Sequence, residues 1–131
     1  MKAEIPDGLI EGPAAWYGTE LARRSDWIFR LERKDLDEID AAIRAFSASG
    51  SPLEAISADK FPLPGLGPRL KALLHELLEG RGFVLMRGLE VERYSRLENA
   101  TAYMGIGSYF GKPRSQNAKG HLLGHVRDLG Y

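Results

Sequence analysis

At 131 residues, with 44% hydrophobic and 27% charged side chains, the chain has the size and balance of one globular domain, which excludes wholesale disorder and fibrous architecture. Lys plus Arg and Asp plus Glu number 18 each, so no net field gathers nucleic acid or an anionic membrane, and neither is expected as a partner. Cysteine is absent; disulfide scaffolds, zinc ribbons, thiol nucleophiles and iron–sulfur clusters fall away together, and a reducing, cytoplasmic location is the expectation.

Met1 to Gly8 shows no basic region followed by an apolar run, so no signal peptide is expected. No stretch approaches the roughly 20 apolar residues of a membrane-spanning helix. Residues 1–24 carry Pro6, Gly8, Gly12, Pro13 and Gly18 without sustained periodicity. They read as an N-terminal arm of loops and short turns, tacked to the core by Trp16 and Tyr17. The domain proper is expected over 25–131.

Trp27 to Leu31 is short, aromatic-rich and bounded by charge, the pattern of a strand. Asp35 then offers a helix N-cap, with Glu38 at the capping-box spacing. Leu36, Ile39, Ile43 and Phe46 recur behind it at helical intervals, and Gly50 closes the segment. Ser51 to Gly67 is a connector stiffened by the prolines of Phe61-Pro62-Leu63-Pro64. A second helix follows, with Pro68 in its first turn and Leu70, Leu73, Leu74, Leu77 and Leu78 as its apolar stripe. Gly80-Arg81-Gly82 stops it. Phe83 to Met86 is a continuous apolar run, which predicts a strand covered on both faces.

Ser95, with Glu98 three residues on, predicts a third helix carrying Leu97, Ala100, Tyr103 and Met104 and loosening through Gly105-Ile106-Gly107. Lys112 to Gly120 reads as a polar loop and Leu122 to Val126 as a last strand weakened by Gly124. The predicted fold class is therefore mixed α/β (α+β), in the order strand, helix, helix, strand, helix, strand.

Few residues point to chemistry. His75 lies beside the leucine stripe and is expected to be a partly exposed helix residue. His121 and His125 have a metal-clip spacing on a helix, where their Cβ atoms would lie about 6 Å apart. Gly120 and Gly124 argue against a helix, and on a strand the two would stand roughly 13 Å apart, so no metal site is expected. Gly105, Gly107 and Gly111 lack both the spacing and the preceding strand of a dinucleotide fingerprint. No nucleophile elbow occurs. Asp35, Asp37, Glu38 and Asp40 cluster at a helix start, where the helix dipole accounts for them. Lys112, Arg114, Lys119 and Arg127, with Ser115, Gln116 and Asn117 among them, could face an anionic small molecule, but a solvated basic loop has the same composition.

The stretches Gly80-Arg-Gly-Phe-Val-Leu-Met-Arg-Gly-Leu89, Gly105-Ile-Gly-Ser-Tyr-Phe-Gly111 and Ser115-Gln-Asn-Ala-Lys-Gly-His-Leu-Leu-Gly-His-Val-Arg-Asp-Leu-Gly130, with Tyr94-Ser95 and Ala102-Tyr103 between them, resemble the N-terminal portion of the TauD/TfdA superfamily. The resemblance extends over about residues 25 to 131. It implies a clavaminate-synthase-like Fe(II)- and 2-oxoglutarate-dependent dioxygenase, an oxidoreductase whose double-stranded β-helix is a jelly roll of about eight strands. This chain would hold the N-terminal helices and first strands of that fold, incomplete. The family's iron is held by His-x-Asp/Glu and a distant second His. Here His75 is followed two residues on by Leu77, His121 by Leu123 and His125 by Arg127. No catalytic residue and no metal ligand is therefore carried over. Gln116, Asn117 and His121 are the positions the resemblance places nearest the substrate pocket.

The expectation is thus a truncated dioxygenase, ending at Tyr131 shortly before its iron segment. Fe(II) and 2-oxoglutarate would serve the full-length family but not bind this chain alone, which would be inactive. The alternative is a non-catalytic α/β module that self-associates or binds a complementing C-terminal half.

Overall fold

The computed structural model describes residues 7–130. Met1 to Pro6, which fall in the stretch read for a signal peptide and in the N-terminal arm, and Tyr131 lie outside the described residues. In chain order the elements are α1 (Gly18–Leu21), β1 (Ile28–Arg30), α2 (Arg33–Ser49), α3 (Leu66–Glu79), β2 (Leu85–Arg87) and α4 (Arg96–Gly107). Single 3-10 turns occur at Leu53–Ala55 and Val91–Arg93. The fold is mixed helix and strand. Its two strands pair in parallel, Ile28 opposite Leu85 and Arg30 opposite Arg87. A parallel pair needs a long crossover, and α2 and α3 provide it. This small sheet does not establish the start of a jelly roll.

The α2 stripe turns inward as its spacing requires: Leu36, Ile39, Ala42, Ile43 and Phe46 are all buried. Gly50, at φ 68°, ends the helix in the left-handed region where a side chain would be strained. The helix starts earlier than Asp35, however. Glu32 is its N-cap, and Asp35 occupies the third helical position. There its buried carboxylate accepts the Glu32 N–H (2.9 Å) and binds Arg69 Nη1 (2.7 Å). The Arg69 guanidinium also stacks over the Phe29 ring, 4.8 Å from its centroid, so one ion pair ties β1, α2 and α3 together.

The connector into α3 is the most constrained part of the chain. A residue before proline is held extended, and in Phe61-Pro62-Leu63-Pro64 this yields a period of two. Phe61 and Leu63 are buried, whereas Pro62 and Pro64 are exposed. Burial requires every N–H here to find an acceptor. Phe61 N–H reaches Ser57 O (2.9 Å), and Pro62 and Pro64 have no N–H. Leu63 N–H donates to Tyr109 Oη (2.9 Å), whose own hydroxyl donates to Phe61 O (2.8 Å). Gly65 and Leu66 N–H donate to the two oxygens of Glu38 at 2.8 and 2.9 Å. The carboxylate expected to cap its own helix thus caps the next one.

Phe61, Leu63, Leu66 and Leu70 join Ile39, Ala42, Ile43, Phe46 and Ala102 in one buried cluster. The α3 stripe fades along its length: Leu73, Leu74 and Leu77 are half-buried and Leu78 is exposed.

Four further expectations are corrected. The strand predicted at Phe83 to Met86 is shifted to Leu85–Arg87 and is not covered on both faces. Met86 is half-buried, but Leu85 is 42% exposed, because no layer lies on that side among the described residues. The Phe83 ring instead meets Trp16 edge-on at 5.1 Å and lies 6.1 Å from Trp27. Trp16 thus touches the body through one ring edge while remaining exposed itself, and Tyr17 is exposed too. Capped by Ser95 and Glu98 as expected, α4 buries Thr101, Ala102, Met104 and Gly105, leaving Leu97 and Tyr103 exposed. It remains helical through Gly107. Leu122 to Val126 forms no strand; no sheet edge pairs with it and Gly124 interrupts it.

Replacing Tyr109 by Phe keeps the ring but orphans the Leu63 N–H. It is expected to lower unfolding free energy by about 1–3 kcal/mol, measured by urea denaturation with an unchanged m-value.

Candidate functional site

An apolar cleft of about 1330 Å³ lies between the sheet, α4 and the C-terminal stretch. The sheet side contributes Val84, Met86 and Leu89, α4 contributes Met104, Ile106 and Gly107, and the C-terminal stretch contributes Gln116, Leu122, Leu123 and Val126. Beneath it, α4 approaches the connector closely. A Cβ on Gly105 would stand 2.5 Å from the Phe61 ring, and one on Gly67 would stand 2.9 Å from Tyr109 Cε1. Only glycine allows these contacts, so the glycines read as loosening α4 include one that packs it. Burial raises the Tyr109 hydroxyl's pKa, opposed by its bond from the Leu63 N–H.

Of the residues singled out by resemblance, Gln116 lines the cleft. Asn117 and His121 are exposed and joined to each other, Nδ2 to Nδ1 at 2.9 Å. Asn117 Oδ1 also accepts the N–H groups of Lys119 (3.0 Å) and His121 (3.2 Å). This is an Asx-type loop in which the amide side chain replaces backbone partners. His125 lines the cleft from the same stretch, while His75 is exposed on α3. Among the described residues, no three His, Cys, Asp or Glu side chains come together in a way that could hold a metal ion.

A polar network braces the start of α4. Tyr94 donates its hydroxyl to Asp40, whose other oxygen binds Arg93 Nη2 at 3.0 Å. Arg93 also reaches Glu90 (3.4 Å). Asn99 Nδ2 donates to Val91 O at 3.0 Å. Burial, reinforced by the bond to Asp40, pushes the Tyr94 pKa from 10.0 up to about 12. None of this was legible from residue type, since Asp40 looked like an ordinary helix-start acid.

No family model matches the chain. It is 37% identical over 122 residues to the taurine hydroxylase-like protein SAT17 of Stachybotrys chartarum, an alignment covering 92% of this chain and 32% of that protein. It is 23% identical over 127 residues to FR-33289 synthase of Streptomyces rubellomurinus, covering 97% of this chain and 38% of the synthase. The chain therefore spans about a third of the length of the curated relatives it matches.

Two outcomes test this geometry. Gly105→Ala is expected to destabilise by about 1–3 kcal/mol through overpacking against Phe61. Gly107→Ala, whose Cβ would meet nothing within 4 Å, should be neutral or stabilising by up to about 1 kcal/mol. Thermal and urea unfolding of both variants check the opposite signs.

The tyrosine network gives a second expectation. The neutral Tyr94 hydroxyl is favoured in the fold, so its contribution is complete below pH 10.0 and is lost as pH rises through about 12. Stability measured across that window should fall more steeply for the parent than for Tyr94→Phe.

Proposed function

We propose that this chain is a segment of a TauD/TfdA-type Fe(II)- and 2-oxoglutarate-dependent dioxygenase. In this reading it supplies the helical scaffold, the first strands of the double-stranded β-helix and one wall of an apolar substrate cleft. The observation that carries the reading is the 37% identity to the taurine hydroxylase-like protein across 92% of the chain. The motif-bearing stretches at 80–89 and 105–111 support it, since the first leads into β2 and the second ends α4, both of which line the cleft. The cysteine-free composition suits a cytoplasmic setting.

In the complete enzyme, iron would couple oxidative decarboxylation of 2-oxoglutarate to hydroxylation of a small molecule. The residues present here do not fit that ion. His75 lies on α3, away from the loop that holds His121 and His125, and none has a carboxylate two residues on. This chain's residues build and position: Tyr109 and Glu38 fix the connector, Gly105 sets the depth of α4, and Val84, Met86 and Met104 exclude water from one side of the cleft.

A second reading, a non-catalytic α/β module that self-associates, is favoured by one observation. Leu85 is exposed on a two-stranded sheet, and uncovered sheet surface invites association.

Succinate release separates the two. The purified chain with Fe(II) and 2-oxoglutarate is expected to release none. Co-expressed with the part of the fungal relative that it does not cover, it should form a complex that releases succinate. Release by the chain alone would overturn the claim that it is inactive by itself. A stable homodimer that ignores the fungal segment would favour the self-associating module.

A further inference from the structure

We infer that residues 112–130 form a detachable strap laid over the apolar cleft, closing it by side-chain contact alone. Every hydrogen bond made by this stretch among the described residues is internal. Gln116 N–H donates to His121 O (2.6 Å) and Gly120 N–H to Asn117 O (3.0 Å). Ser115 Oγ donates to Asn117 O (3.0 Å), and the Asn117 side chain gathers Lys119 and His121. Gln116 Nε2 donates to Arg114 O (2.9 Å) and Gly130 N–H to Asp128 Oδ1 (2.7 Å).

Among the described residues, no hydrogen bond or salt bridge joins this stretch to residues 7–111, even though it carries Lys112, Arg114, Lys119 and Arg127. The half-buried pair Leu122 and Leu123 supplies the attachment, facing the cleft lined by Met86 and Ile106.

A segment that satisfies its own polar groups loses none of them on lifting away. The cost of opening is then the re-exposure of two leucines, so the strap sits at the low-stability end of the molecule. Gly111, where an added Cβ would meet nothing within 4 Å, follows the turn after α4 and is the position at which the strap can swing. The strap is therefore a removable wall of the cleft, and lifting it uncovers the apolar surface of Met86 and Ile106 opposite.

The double substitution Leu122→Ser with Leu123→Ser in the full chain tests this. The thermal midpoint should stay at the parent value, because the strap contributes nothing to cooperative unfolding. Binding of the apolar dye anilinonaphthalene sulfonate to the native protein should rise severalfold as the cleft is uncovered. A lowered midpoint would show the stretch to be part of the cooperative core. Unchanged dye binding would show that it does not cover the cleft. Either result overturns the inference.

Discussion

The rest of the fold depends on the seating of the proline-interrupted segment at 61–64, whose Phe61 and Leu63 are buried. Extended backbone in a core is normally tolerated only within a sheet, where neighbouring strands satisfy its polar groups. Here there is no sheet partner. Two prolines remove two of the donors, a tyrosine from the end of α4 takes the Leu63 N–H, and a glutamate from α2 takes the next two. The segment can then place Phe61, Leu63 and Leu66 among the α2 side chains without leaving a donor unpaired.

From this seat the other elements acquire their positions. Phe61 lies against Gly105 and draws α4 to within ring-contact distance. Arg69, one turn into α3, reaches back to Asp35 and over Phe29, locking β1 to the helices. Asp35 is buried while Arg69 is partly exposed, and removal of Arg69 would strand the buried carboxylate, so the pair specifies arrangement more than it stabilises. With α4 and the sheet fixed on either side, the apolar cleft is a consequence of the core. The C-terminal stretch then lies across it, held by leucines.

How much of this is visible in the sequence depends on distance along the chain. The α2 stripe, the Gly50 stop and the Ser95–Glu98 cap are local patterns, and each forms at its expected place. The extended character of Phe61 to Pro64 is also local, because proline imposes it. What satisfies that segment is not: Glu38 lies 27 residues from Gly65, and Tyr109 lies 46 from Leu63. No periodicity links such pairs. Gly105 illustrates the same gap, since a glycine late in a helix looks like fraying until the Phe61 ring is set against it. The Phe83 run misled because continuous apolarity does not distinguish a doubly covered strand from an aromatic anchor followed by a half-covered one. Of the three positions singled out by resemblance, Gln116 lines the cleft, while Asn117 and His121 spend their polar groups on their own loop. The apolar lining, Met86 and Met104 among it, carried no signal that separates a cleft wall from core.

The connector is a keystone opened only by unfolding the whole molecule, and native-state hydrogen exchange reads this directly. The Leu63 and Leu66 amides should exchange with the same free energy as the Ile39 and Ile43 amides of α2, at the global unfolding limit. Exchange of Leu63 and Leu66 through a local opening, well below that limit, would contradict it.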